Sequence, residues 1–205
     1  MSSNMPQNMW DEKFASSEFF YGTEANVFLV RQAQKLKLNS KILCLAEGEG
    51  RNAVYLAEQG HDVSALDYSR AGIEKTQKLA AQRQVTVTTI LQDLAEWQPD
   101  ANSADAIVAI FMHLPSPLRQ QVLTNIVKAL RPGGLFIGEF YRPEQLAYNT
   151  GGPKDRALLY TQEMLANDLS GLNFEHLADM EREVVEGVGH TGKAAVLQIV
   201  ARKPA

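Results

Sequence analysis

The 205-residue sequence predicts an α/β fold: a doubly wound, mostly parallel seven-stranded sheet closed by an antiparallel C-terminal hairpin. Three observations predict it. Short apolar or β-branched runs alternate with segments of helical spacing between residues 41 and 140. The first run ends in Glu47-Gly48-Glu49-Gly50 and turns directly helical, the layout of a strand, a loop of bare backbone and a helix. Near the C-terminus two long runs flank a glycine-rich stretch with no helix between them, as in a hairpin.

In chain order, residues 1–9 are polar, and aromatics then crowd together (Trp10, Phe14, Phe19, Phe20, Tyr21) before Gly22. Residues 24–36 read as a helix that can bury Val27, Phe28, Val30 and Leu36. Strand 41–46, helix 50–59 broken by Gly60, and strand 62–66 form a βαβ unit. Ser69 caps a helix reaching residue 83, and 85–91 alternates Val and Thr as a third strand. The fourth strand, 105–111, is nearly all apolar, as expected of a strand covered on both faces. Leu118, Val122, Leu123, Ile126, Val127 and Leu130 fall at helical spacing, and Arg131-Pro132-Gly133-Gly134 ends that helix before a fifth strand at 135–140. Residues 141–155 read as a long loop, which in a compact domain points to function. A helix at 162–169 precedes hairpin strands 174–185 and 193–202, joined by 186–192. With no repeat or linker, residues 1–205 read as one domain, 1–38 capping a 39–205 core.

A charged fraction of 21% and a net charge of −4, with no Lys/Arg stripe, argue against a nucleic-acid partner. The single cysteine, Cys44, lies inside the first strand, so no intramolecular disulfide is possible and a reducing compartment is expected. The first six residues lack the basic and apolar regions of a signal peptide, and no apolar run approaches the roughly 18 residues of a membrane span. The expectation is a soluble cytoplasmic protein with no membrane partner, its oligomeric state left open.

Gly48-x-Gly50-x-x-Ala53, with Asp67 19 residues beyond Gly48, also fits the loop that binds a dinucleotide. The charge argues otherwise, because Glu47 and Glu49 would set carboxylates beside a pyrophosphate at a helix N-terminus that favours anions. S-adenosylmethionine, which carries a sulfonium and an ammonium and no phosphate, suits this loop better. An NAD(P)-dependent oxidoreductase and a binding protein without turnover remain the alternatives.

Residues 42–52, then Asp67-Tyr68-Ser69, Gln92-Asp93-Leu94 and Leu130-Arg131-Pro132-Gly133-Gly134, resemble in order and spacing the motifs of class I S-adenosylmethionine-dependent methyltransferases. The Trp-containing first segment and His113-Leu114-Pro115 are similar to the tellurite-resistance and thiopurine-type branch. The resemblance implies a Rossmann-like fold, S-adenosyl-L-methionine as cofactor and a small-molecule acceptor. It also implies that Asp67 accepts from the ribose hydroxyls and Asp93 from the adenine amino group, with the Leu94 N–H donating to the ring. Ala46, Glu47, Gly48, Gly50, Tyr68 and Ile110 complete the implied cofactor site. Cys44 stands where that motif usually begins with an acid, so Glu47 is expected to offer its carboxylate to the methionine ammonium. Glu49 is expected at the surface, with Arg51 its partner.

Transfer of a methyl group from a sulfonium asks mainly for in-line alignment and exclusion of water, so no catalytic residue follows from the motifs. His113 is the candidate, placed by the resemblance next to the transferable methyl, either as a base near neutral pH or as a residue that orders its loop. The substrate-pocket candidates are Trp10, Phe14, Tyr21, His113, Tyr141, Arg142 and Tyr148, with Trp10, Phe14 and Tyr21 read either as an edge cap of the sheet or as a closing wall. Arg142 would favour an anion. His190 is expected to be an exposed loop histidine, His61 and His176 carry no signal, and no spacing resembles a metal site. The acceptor expected is a thiol, selenol or chalcogen oxyanion.

Overall fold

The structure, a computed structural model, describes residues 7–205, so the reading of residues 1–6 lies outside the described residues. Its strands are β1 (Lys41–Leu45), β2 (Asp62–Asp67), β3 (Thr88–Leu91), β4 (Ala104–Ile110), β5 (Leu130–Tyr141), β6 (Asn173–Glu186) and β7 (His190–Arg202). The helices are α1 (Gln7–Phe14), α2 (Val27–Ala33), α3 (Arg51–Glu58), α4 (Arg70–Gln82), α5 (Ser116–Ala129) and α6 (Gln162–Asp168), with 3-10 turns at Pro143–Ala147 and Arg156–Leu158. The sheet order is β3-β2-β1-β4-β5-β7-β6, parallel from β3 to β5, with β7 antiparallel to both β5 and β6.

Alternating burial along the central strands explains the two layers. Ile107 and Ala109 of β4 face one core with Phe136, Leu123 and Ile126, while Ala106, Val108 and Ile110 face the other with Ile42, Cys44 and Leu56. Each aliphatic side chain so enclosed contributes about 1.5–3 kcal/mol, which is why a near-continuous apolar run forms a central strand. The order reverses between β1 and β4, so the carboxyl ends of these two neighbours open the crevice in which such sheets bind ligands.

Several boundaries differ from the sequence reading, for local reasons. The Asn26 side chain accepts from Leu29 N–H and starts α2 three residues later than expected. Val85 N–H donates to Ala80 O to finish α4, so β3 begins only at Thr88. The hairpin turn is shorter than 186–192, because Glu186 already pairs with His190 and Gly187 takes a left-handed φ of 65°. Among the described residues no helix is long and apolar enough to cross a membrane.

Candidate functional site

A cavity of about 580 Å³ opens beyond the carboxyl ends of β1 to β5. On one side stand Ala46, Glu47 and Gly48 after β1, Asp67 and Tyr68 after β2, and Asp93 and Leu94 after β3. On the other stand Ile110 to His113 from the end of β4, Tyr141 ending β5, and His190 beginning β7. Trp10, Phe14 and Tyr21 of the N-terminal segment also line it.

The glycine loop is wound through left-handed positions: Ala46 at φ 49°, Gly48 at 65° and Gly50 at 91°. Gly48 N–H donates to Asp67 Oδ2 at 2.8 Å and Ser69 N–H to Oδ1 at 2.8 Å, so Asp67 ties the first loop to the start of α4. Ser69 caps α4 through Gly72 N–H and itself donates to Asp11 of α1. Burial raises the Asp67 pKa, opposed by the N–H groups of Ser69, Gly48 and Tyr68. Gly50, expected beside a ligand, does not reach the cavity. A Cβ there would lie 2.7 Å from Thr76, so its glycine is required by the close approach of α4. Gly48 instead faces Phe14, whose ring would be 3.3 Å from an added Cβ.

Glu47 accepts from Asn52 N–H at 2.9 Å and Ala53 N–H at 2.8 Å, capping α3 with a carboxylate. Burial pushes its pKa up to about 7, against those two donors and Arg51. Asp93 accepts from Ala95 N–H at 2.8 Å and remains exposed, while Leu94 and Ile110 are buried.

Glu49 is a correction: it is buried, not at the surface. Its two oxygens accept from Phe20 N–H and Tyr21 N–H, both at 3.1 Å, and Lys75 Nζ lies 2.7 Å from Oε1. Nor is Arg51 its partner. The Arg51 guanidinium is paired with Glu186, inside a buried network in which Glu139 is bound by Asn26, Arg182 and Gln198, and Arg182 reaches both Glu139 and Glu186. Two acids and two guanidiniums make that network formally neutral and join α3, β5 and the hairpin at the edge of the cavity, which Arg51 lines. Sequence reasoning missed it, since an acid in a central strand is partnered only by tertiary contact.

On the aromatic side, His113 lines the cavity with both ring nitrogens engaged. Nδ1 lies 2.8 Å from Leu158 O and must carry the proton, so Nε2 accepts from Tyr141 N–H at 3.3 Å. Burial lowers its pKa to about 4. Of the two readings of His113, base or loop-ordering residue, these contacts favour the second. His190, expected to be exposed, is buried with its ring 4.4 Å from Tyr21, 4.6 Å from Phe111 and 5.3 Å from Tyr141, and burial lowers its pKa to about 2. Phe111, which the sequence did not single out, holds a left-handed φ of 55° and stacks on Tyr141 at 4.5 Å.

Two candidates fall outside the cavity. Arg142 is held by Glu144 at 3.1 Å and Asp179 at 3.6 Å, and the Tyr148 hydroxyl donates to Glu181 at 2.8 Å. After Tyr141 successive side chains alternate faces, which turns Arg142 away. The cations that do line the cavity are Arg51, Lys154 and Lys13, the last one helical turn beyond Trp10 and 4.6 Å from its ring. The 141–155 loop reaches the cavity through Gly151, Gly152, Pro153, Lys154 and Asp155, anchored by buried Gln145, whose Nε2 donates to Gly151 O and whose Oε1 accepts from Ala195 N–H. Among the described residues no group of His, Cys, Asp or Glu is arranged to hold a metal.

Residues 42–134 match the family model described as a methyltransferase domain. The chain is similar, at 29% identity over 53% of its length, to 2-heptyl-1-hydroxyquinolin-4(1H)-one methyltransferase of Mycobacteroides abscessus, 49% of which is covered. It spans about half the length of the curated relatives it matches. Among solved structures, TehB from Haemophilus influenzae shares the fold at TM-score 0.71 and 20% identity, with 96% of this chain and 66% of that chain covered. The protein of a structure describing conversion of a disulfide bond into a thioacetal group during echinomycin biosynthesis shares it at TM-score 0.80 and 14% identity, over 97% and 91%. Motif order, strand order and the match over residues 42–134 agree: that stretch is similar to a methyltransferase domain, and the chain shares the fold of these solved structures.

Proposed function

We propose that this protein transfers a methyl group from S-adenosyl-L-methionine to a small-molecule acceptor. The observation that carries the reading is one cavity with Glu47, Asp67 and Asp93 along one side and an aromatic wall along the other. The donor set fits the cofactor and not a dinucleotide: the glycine loop is bordered by carboxylates, and Arg51, the cation nearest in sequence, is already paired with Glu186. Asp67 would hold the ribose through the acceptor capacity that its two oxygens keep beyond these backbone N–H groups. Asp93 and Leu94 would hold the adenine, Glu47 the ammonium, and Ala46, Gly48, Tyr68 and Ile110 the remaining surface. When bound, the cofactor supplies a methyl group activated on a sulfonium.

The chain's own part is to orient the acceptor and keep water out. His113 spends both nitrogens on backbone groups, which favours an acceptor that arrives as the nucleophile, such as a thiolate or selenolate. A chalcogen oxyanion belongs to the same class, but Arg142, the cation expected for it, is engaged elsewhere. In this reading residues 1–205 work as one domain, with 1–38 as its cap. The buried lone Cys44 suits a cytoplasmic setting.

A screen of small acceptors with isotope-labelled methyl donor tests the proposal, with label expected on a thiol or selenol. Tight NAD binding without S-adenosylhomocysteine binding would replace it with the oxidoreductase. S-adenosylhomocysteine binding with no labelled product would leave a binding protein without turnover.

A further inference from the structure

Asn52, in the first turn of α3, lines the cavity while only 4% exposed. Its amide orientation is fixed, because Asn26 N–H donates to Oδ1 at 3.0 Å and only the oxygen can accept. Asn26 is itself held by Glu139 at 2.7 Å and Glu186 at 3.0 Å, so the buried network locks the Asn52 side chain. Nδ2 is left over. It donates to no group among the described residues, yet it is not sealed from solvent as the unpaired interior atoms are. A donor on a nearly buried side chain almost always finds a partner, and the space that Asn52 borders is the cavity. Backbone donors close by are spent, Gly48 N–H on Asp67 and the N–H groups of Asn52 and Ala53 on Glu47. Arg51 lines the cavity as well, but Glu186 balances its charge and Glu24 O takes another of its N–H groups. Asn52 Nδ2 is thus an open donor on the residue whose backbone nitrogen lies 2.9 Å from the Glu47 carboxylate.

We propose that Asn52 Nδ2 seats the carboxylate at the amino-acid end of S-adenosyl-L-methionine. In an α-amino acid the ammonium and the carboxylate leave the same carbon, so a ligand that gives its ammonium to Glu47 brings its carboxylate alongside. Glu47 and Asn52 then read a zwitterion, one accepting from its cation and the other donating to its anion. Because Asn26 already holds the amide in place, little side-chain freedom is lost on binding. The inference rests on the cofactor reading above and deepens it, adding a selection for the intact amino acid over a decarboxylated ligand.

The test needs no turnover. S-adenosylhomocysteine and its decarboxylated analogue, which keeps the adenosine, the sulfur and the ammonium, are titrated calorimetrically into the protein. The parent is expected to bind S-adenosylhomocysteine at least about tenfold more tightly than the analogue. Asn52→Asp keeps Oδ1 for Asn26 N–H and sets an anionic oxygen in place of Nδ2. It should reverse the preference, weakening S-adenosylhomocysteine about a hundredfold and leaving the analogue as tight or tighter. Asn52→Ala should weaken S-adenosylhomocysteine about tenfold and leave the analogue unchanged. Equal affinity of the parent for the two ligands, or equal losses for both in Asn52→Asp, would overturn the seat and leave Asn52 an anchor for Asn26. Failure of the parent to bind either ligand would overturn the cofactor reading and the seat with it.

Discussion

Lys75 Nζ lies 2.7 Å from Glu49 Oε1 in a buried pair that joins α4 to the glycine loop, and the same carboxylate receives the N–H groups of Phe20 and Tyr21. Lys75 also donates to Glu18 O, so one pair holds the loop and the N-terminal segment together. Removing one partner leaves the other charged and buried. Glu49→Ala is expected to cost about 3–5 kcal/mol in denaturant unfolding, and Glu49→Gln less, since it keeps an acceptor for the two amides. A loss under about 0.5 kcal/mol, ordinary for an exposed residue, would contradict this placement.

Hydrogen exchange should resolve two parts of the N-terminal segment. Phe20 and Tyr21 amides are held by Glu49 and are expected to exchange slowly without ligand. Residues 10–14, which meet the loop through the Phe14 ring, should gain protection on adding S-adenosylhomocysteine. Identical protection of 10–14 in both states would make them a static cap.

Glu47, with its pKa pushed up to about 7, should make cofactor binding depend on pH. A cationic ammonium prefers the ionised carboxylate, so affinity should rise between pH 6 and pH 8 with proton release, then level off. Calorimetry in buffers of different ionisation enthalpy measures the proton, and Glu47→Gln should abolish both effects. No proton release at pH 6.5 would remove Glu47 from the ammonium.

Asp67→Ala deletes the acceptor for Gly48 and Ser69 N–H as well as the proposed ribose contact. S-adenosylhomocysteine affinity is expected to fall by about 1.5–3 kcal/mol, the range for hydrogen bonds to a charged group. Unchanged affinity would confine Asp67 to ordering the loop.

His113 and His190, at about 4 and about 2, titrate below an unfolded histidine near 6.5. The unfolded chain then binds more protons, so the stability that they contribute is present above pH 6.5 and lost as pH falls toward 4. Glu47 acts in the opposite sense, its contribution present below about 4.5 and lost as pH rises through about 7. Thermal unfolding at pH 7.5 and pH 5 should therefore give a shallower acid slope in His190→Phe than in the parent protein. An unchanged slope would count against the buried neutral imidazole.

The order of strands and helices was legible in the sequence because each element carries its own period: the apolar run of β4, the spacing from Leu118 to Leu130, the glycine-rich break before the last strand. So was the motif series from Ala46 through Asp67 to Asp93, since residues that follow parallel strands converge at one end of a sheet whatever surrounds them. What only the tertiary structure decided is which charged side chain meets which. Glu49 is buried because Lys75, 26 residues away, and the backbone of the N-terminal segment supply its partners. Arg51 finds Glu186 at a separation of 135 residues, and His190 is enclosed by rings from three other segments. Sequence periodicity registers burial along one element, whereas the partner of a buried charge is set by packing between elements far apart in the chain.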